Sequence, residues 1–131
     1  AQHSLACAKE AKTRGYSKEV ILGCLLHDAS EAYLSDVTRP IKRKLTYYLE
    51  VEDVLQNNIW KHFIGKVLTE EDKRLIFEID DEMLSLELKE LLNEEINDDY
   101  LKLERKVDLS FVAFETIENE FIEFYKETME I

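Results

Sequence analysis

Residues 20 to 26, Val-Ile-Leu-Gly-Cys-Leu-Leu, form an almost wholly apolar run, and a run of that kind predicts a buried helix. Ser17 is its natural N-cap, and His27-Asp28 stands at its C-terminal end. Before it, residues 3 to 14 read as a first helix terminated by Gly15, which suits left-handed backbone. After it, a short helical stretch is expected over residues 29 to 34. Residues 35 to 40 then read as a loop, because Pro40 disfavours helix at Arg39 and suits the first position of the next helix. That helix carries Ile41, Leu45, Tyr48, Leu49, Leu55, Ile59 and Phe63 at broadly helical spacing and stops near Gly65. Thr69 caps another, with Glu70, Glu71 and Asp72 in the first turn, where the macrodipole favours acids. Its apolar positions are Leu75, Ile76, Ile79, Met83, Leu84 and Leu91. Beyond the polar residues 93 to 99, a final long helix is expected to place Leu103, Val107, Phe111, Phe114, Ile117, Phe121 and Tyr125 on one face.

Composition sharpens this into an all-α fold. Three glycines and one proline in 131 residues are too few for many strand-connecting turns, and the length suits one domain, residues 1 to 131, of five or six packed helices. The net charge of −12 argues against binding a nucleic-acid polymer or an anionic membrane surface. That charge is uneven. Residues 1 to 44 carry eight Lys and Arg against five Asp and Glu, whereas residues 45 to 131 carry nine against twenty-four. The locally positive segment suits a small anionic substrate. Cys7 and Cys24 lie in helical, largely apolar stretches and make no disulfide framework, so a reduced, cytoplasmic protein is expected. No run is long and apolar enough to span a bilayer. The chain begins at Ala1, two residues before His3, and an upstream segment is expected to be missing.

His27-Asp28 is where chemistry enters. A carboxylate and an imidazole at the end of a buried helix need a compensating cation, and a metal ion fits that need. His3 and Asp80 are the candidates to complete the set with His27 and Asp28, a mixture of nitrogen and oxygen donors that leaves positions open for water and substrate. Asp80 is preferred to Asp81 because Ile76, Phe77, Met83 and Leu84 surround it at helical spacing, whereas Asp81 has Glu78 and Ser85. Two alternatives stay open: Asp80 pairs with a Lys or Arg, or Asp81 is the residue that faces inward. His3 alone reads equally as a hydrogen-bonded core histidine. Glu31, four residues after His27 and three after Asp28, would lie near any ion they hold, as acid or base or as support for His27. Asp36 is a second acid or a loop cap, and Arg39 and Lys42 bind phosphate or belong to a solvated face. His62 is assigned to packing or surface.

The ordered set of a His, a distant His-Asp pair and a late Asp resembles the HD-domain metal-dependent phosphohydrolases. His27-Asp28-Ala29-Ser30-Glu31, followed by Asp36, Pro40 and Lys42, is similar to the branch of small 5'-deoxynucleotidases and phage-type relatives. The resemblance runs from Gln2-His3-Ser4 through the helix that carries Asp80 and Glu87. It implies the HD fold, His3, His27, Asp28 and Asp80 as metal ligands, and catalytic roles for Glu31 and Asp36. With no further histidine available besides His62, one divalent ion is expected, from among manganese, cobalt, iron, nickel, zinc and magnesium. The expected reaction is hydrolysis of the phosphomonoester of a nucleoside or deoxynucleoside 5'-monophosphate. The alternatives are a nucleoside triphosphate or guanosine polyphosphate hydrolase, or a non-catalytic acidic helical interaction module. A homodimer is compatible with the aromatic face expected on the final helix.

Overall fold

The computed structural model describes residues 1 to 92 and 103 to 131, and these form an all-α bundle. Its helices are α1 (Gln2–Thr13), α2 (Lys18–Leu26), α3 (Arg39–Lys42), α4 (Thr46–Ile64), α5 (Glu70–Leu91) and α6 (Phe114–Met129). A 3-10 turn at Ala29–Ala32 follows α2. The polar residues 93 to 99 lie outside the described residues.

α2 is the centre. Every residue from 20 to 26 is buried, and the helix packs against α1, α4, α5 and α6. The apolar run requires this, since a helix hydrophobic all round loses free energy on any face left in water. The Ser17 side chain accepts from the Val20 amide and starts the helix. At the other end, the Gln56 amide on α4 donates to the Leu26 carbonyl at 2.8 Å and accepts from the Ser30 amide at 3.1 Å. One buried side chain thus satisfies backbone groups on both sides of His27-Asp28 and fixes the turn that carries them.

Thr69 and Asp72 begin α5 with a reciprocal capping box. α5 comes close to α2 at Gly23, where a Cβ would fall 3.1 Å from Ile76 Cγ1 and closer still to its Cδ1. Glycine at that position is what lets the two helices approach.

Three expectations need correction. The helix expected from Pro40 to Gly65 is two helices, α3 and α4, separated by Arg43, Lys44 and Leu45. Leu45 has φ −104° and ψ 71°, and the Lys44 and Leu45 amides bond three residues back to Ile41 and Lys42, so α3 tightens and ends there. Arg39, expected in the loop because Pro40 follows it, is instead the first residue of α3, whereas α1 ends as expected, with Arg14 as its C-cap and Gly15 at φ 71°. The final helix begins only at Phe114. Residues 103 to 113 lie in irregular backbone because the buried Glu10 carboxylate accepts from the Glu104 and Arg105 amides, at 2.6 and 3.2 Å. Leu103 and Val107 still pack on the core, but Phe111 and Phe114, expected on the inner face, are 81% and 82% exposed.

Glu10 is itself held by Arg14, whose guanidinium also reaches Glu82 on α5 at 2.5 Å. This buried cation between two acids ties α1 to α5 on the way to the site. No helix among the described residues is long and apolar enough to cross a membrane.

Candidate metal centre

α1, α2 and α5 converge on a cluster of titratable side chains. His3 comes from the first turn of α1, His27 is the C-cap residue of α2, and Asp80 lies midway along α5. His27 sits one turn after Gly23 and Asp80 one turn after Ile76, so the close approach at 23 and 76 carries directly into the site. His27 Nε2 stands 3.3 Å from Asp80 Oδ1 and 3.3 Å from Asp28 Oδ1. His3 Nε2 donates to Asp80 Oδ1 at 2.8 Å, and His3 Nδ1 donates to Glu87 Oε1 at 2.8 Å.

The choice between the two neighbouring aspartates is resolved by burial. The Asp80 side chain is 17% exposed and faces the histidines, whereas that of Asp81 is 62% exposed and accepts from Arg39 at 2.9 Å. Arg39 also comes within 3.7 Å of Asp80 Oδ2. Asp80 therefore has both an imidazole pair and a cation at its edge.

The electrostatics describe an anionic pocket that demands positive charge. Burial lowers the basicity of His3, but its hydrogen bonds with Asp80, Cys7 and Glu87 outweigh that and push it up to about 12. Burial also opposes charge on His27, and the nearby Asp80 and Asp28 carboxylates raise it nonetheless. Burial would raise the Asp80 carboxyl, yet the two imidazoles hold it below the usual carboxylate range. The cluster binds protons tightly for the same reason that it would bind a cation.

His27 Nε2 supplies the sharper test. Nδ1 donates to the Cys24 carbonyl at 2.7 Å, so in the neutral tautomer Nε2 carries a lone pair. Nε2 itself is buried, makes no hydrogen bond, and stands 3.3 Å from an oxygen of each of two carboxylates. Three such acceptors around one point repel one another unless a proton or a metal ion lies between them. One donor atom each from His3, Cys7, His27 and Asp80 falls within 4.8 Å of the others, so this group could hold a metal ion. Asp28, with its side chain 43% exposed, lies beside His27 and outside that tight group of four.

Compared with models of protein families, with curated proteins and with solved structures, the chain matches none.

A cavity of about 540 Å³ opens beside the cluster. Glu31, Asp36, Arg39 and Lys42 all line it, together with His3, His27, Asp28 and Asp80. Burial, and then repulsion from Asp28 and Asp36, raises the Glu31 carboxyl. Lys42 does not stand free: its ammonium bonds Glu52 on α4 at 3.0 Å. His62 is exposed on α4 against the edge of Phe63.

Sequence reasoning did not find Cys7, Glu87 or Glu52. Cys7 follows His3 by one turn, and Glu87 follows Asp80 by about two turns, so helical spacing was the available signal for both. Glu52 becomes a partner of Lys42 only when α4 folds back along α3.

Proposed function

We propose that this protein is a metal-dependent phosphohydrolase of the HD type that cleaves the phosphomonoester of a nucleoside or deoxynucleoside 5'-monophosphate. The observation that carries the reading is His27 Nε2, a buried ring nitrogen without a hydrogen-bond partner, 3.3 Å from both Asp80 and Asp28 beside a cavity bordered by Arg39 and Lys42. His3, His27, Asp28 and Asp80 are the residues proposed to hold the ion. When bound, a divalent ion at such a site supplies a Lewis acid that polarises a phosphoryl oxygen and lowers the pKa of water.

The chain's own residues contribute the rest. Glu31, with its raised carboxyl, takes a proton from the attacking water or returns one to the departing ester oxygen. Arg39 and Lys42 offer N–H donors to the phosphate oxygens, and Asp81 and Glu52 hold those cations until substrate competes for them. Asp36, at the cavity edge, keeps Glu31 basic through repulsion. Glu87 orients His3 by accepting from Nδ1, as outer carboxylates do for ligating histidines. The two buried free thiols suit a reducing, cytoplasmic setting.

The test is a hydrolysis panel with each divalent metal restored in turn to metal-free protein. Release of inorganic phosphate from 5'-monophosphates is the expected result. Release of pyrophosphate or tripolyphosphate from a triphosphate or guanosine polyphosphate would move the substrate assignment to that class. Stoichiometric metal with no phosphate, pyrophosphate or tripolyphosphate released from any nucleotide would overturn the hydrolase reading.

A further inference from the structure

Cys7 lies one turn beyond His3 on α1, which puts both side chains on one helix face. The residue is fully buried, and its Sγ stands 3.6 Å from His3 Nε2. With bonds of about 2.3 Å to sulfur and about 2.05 Å to nitrogen or oxygen, a tetrahedral ion separates sulfur from nitrogen by about 3.6 Å and nitrogen from oxygen by about 3.3 Å. Cys7 Sγ to His3 Nε2 is 3.6 Å, and His27 Nε2 to Asp80 Oδ1 is 3.3 Å. His3 Nε2 to Asp80 Oδ1, at 2.8 Å, is shorter than such an edge, because a hydrogen bond draws those two atoms together.

A thiol beside a histidine is common in protein cores and does not make a site. The independent observation is again His27 Nε2, whose side chain is 2% exposed and which has no hydrogen-bond partner while facing the same space. Cys24, the other buried thiol, stands outside the group of mutually close donors.

We propose that Cys7 is an inner ligand of the ion held by this cluster, its S–H proton passing to solvent as the sulfur–metal bond forms. The proposal rests on the metal-binding part of the reading above and is independent of the reaction catalysed. Sulfur beside the imidazoles of His3 and His27 and the carboxylates of Asp28 and Asp80 favours zinc or cobalt over magnesium.

Cobalt(II) titrated into the metal-free full chain, prepared without a histidine tag, provides the test. A near-ultraviolet sulfur-to-cobalt charge-transfer band saturating at one equivalent is expected. Cys7→Ser should abolish the band and weaken cobalt binding by at least about tenfold, since even partners outside the ligand shell are worth about 10- to 100-fold. Should Cys7→Ser fail to fold, Cys24→Ser decides: the chain has two cysteines, so a band persisting in that variant arises from Cys7. A band lost in folded Cys24→Ser and kept in Cys7→Ser overturns the proposal. So does one equivalent of bound cobalt without any sulfur band, which leaves the metal-binding reading intact. Wild-type protein that binds no cobalt overturns both.

Discussion

Gly23 on α2 and Ile76 on α5 meet so closely that no side chain fits between them, and one helical turn further along each helix stand His27 and Asp80, 3.3 Å apart. The separation of the two site residues is therefore set by a packing contact that carries no chemistry. The indole of Trp60 donates to the Gly23 carbonyl at 3.2 Å and braces the same point from α4.

Gly23→Ala should consequently perturb the site from a distance. Overpacking a core costs about 1–3 kcal/mol, and the gain of about 1 kcal/mol from replacing a helical glycine offsets only part of it. Ile76 is fully buried, so its Cδ1 has little room to withdraw. Thermal unfolding should show a Tm lowered by a few degrees, together with weaker metal binding. Adding Ile76→Val removes the clashing methyl and should recover metal affinity more than it recovers stability. Wild-type affinity in Gly23→Ala alone would separate the packing contact from the site.

The second expectation separates neighbouring aspartates. Asp80→Asn should release the metal, because Asp80 Oδ1 contacts both imidazoles. Asp81→Asn should keep one equivalent, since that carboxylate serves Arg39 at the surface. Metal content after dialysis reads both outcomes. Loss in Asp81→Asn with retention in Asp80→Asn would reverse the assignment.

The features legible in the sequence were those encoded locally. The run at residues 20 to 26, the Ser17 cap and the Thr69–Asp72 box each depend on neighbours within a turn or two, and each forms where the pattern puts it. The inward orientation of Asp80 was also readable, from the apolar positions around it. What escaped depends on contacts between elements. Phe111 and Phe114 keep helical spacing with Val107, but Glu10, nearly a hundred residues away, takes the amides of 104 and 105 and holds the preceding segment out of a helix. Cys7 read as core because a thiol packs like a small hydrophobe; the ligand role proposed for it depends on α1 lying beside α5.

Glu31→Gln should retain the metal and lose turnover. Glu31 lines the cavity and is not among the close donor group, so substitution leaves that group intact. Loss of a general acid or base lowers kcat by about 10²- to 10⁴-fold. A variant with full metal and wild-type kcat would reduce Glu31 to a structural residue.

The last prediction follows from Lys42 being engaged rather than free. Its ammonium bonds Glu52 and lies 5.8 Å from the Tyr48 ring centroid, so a substrate phosphate must draw it away from an existing partner. Lys42→Ala should raise KM for a nucleoside monophosphate more than it lowers kcat, the pattern of lost uniform binding. Glu52→Gln should act in the opposite direction and lower KM, because the same cation is then released toward the cavity. Both effects should shrink as salt screens the charges over about 10 Å at 0.1 M. Steady-state kinetics at low and high salt measures each variant. If Glu52→Gln raises KM as Lys42→Ala does, Glu52 is needed to position the lysine, and the ion pair is part of the substrate-binding apparatus rather than a competitor of the phosphate.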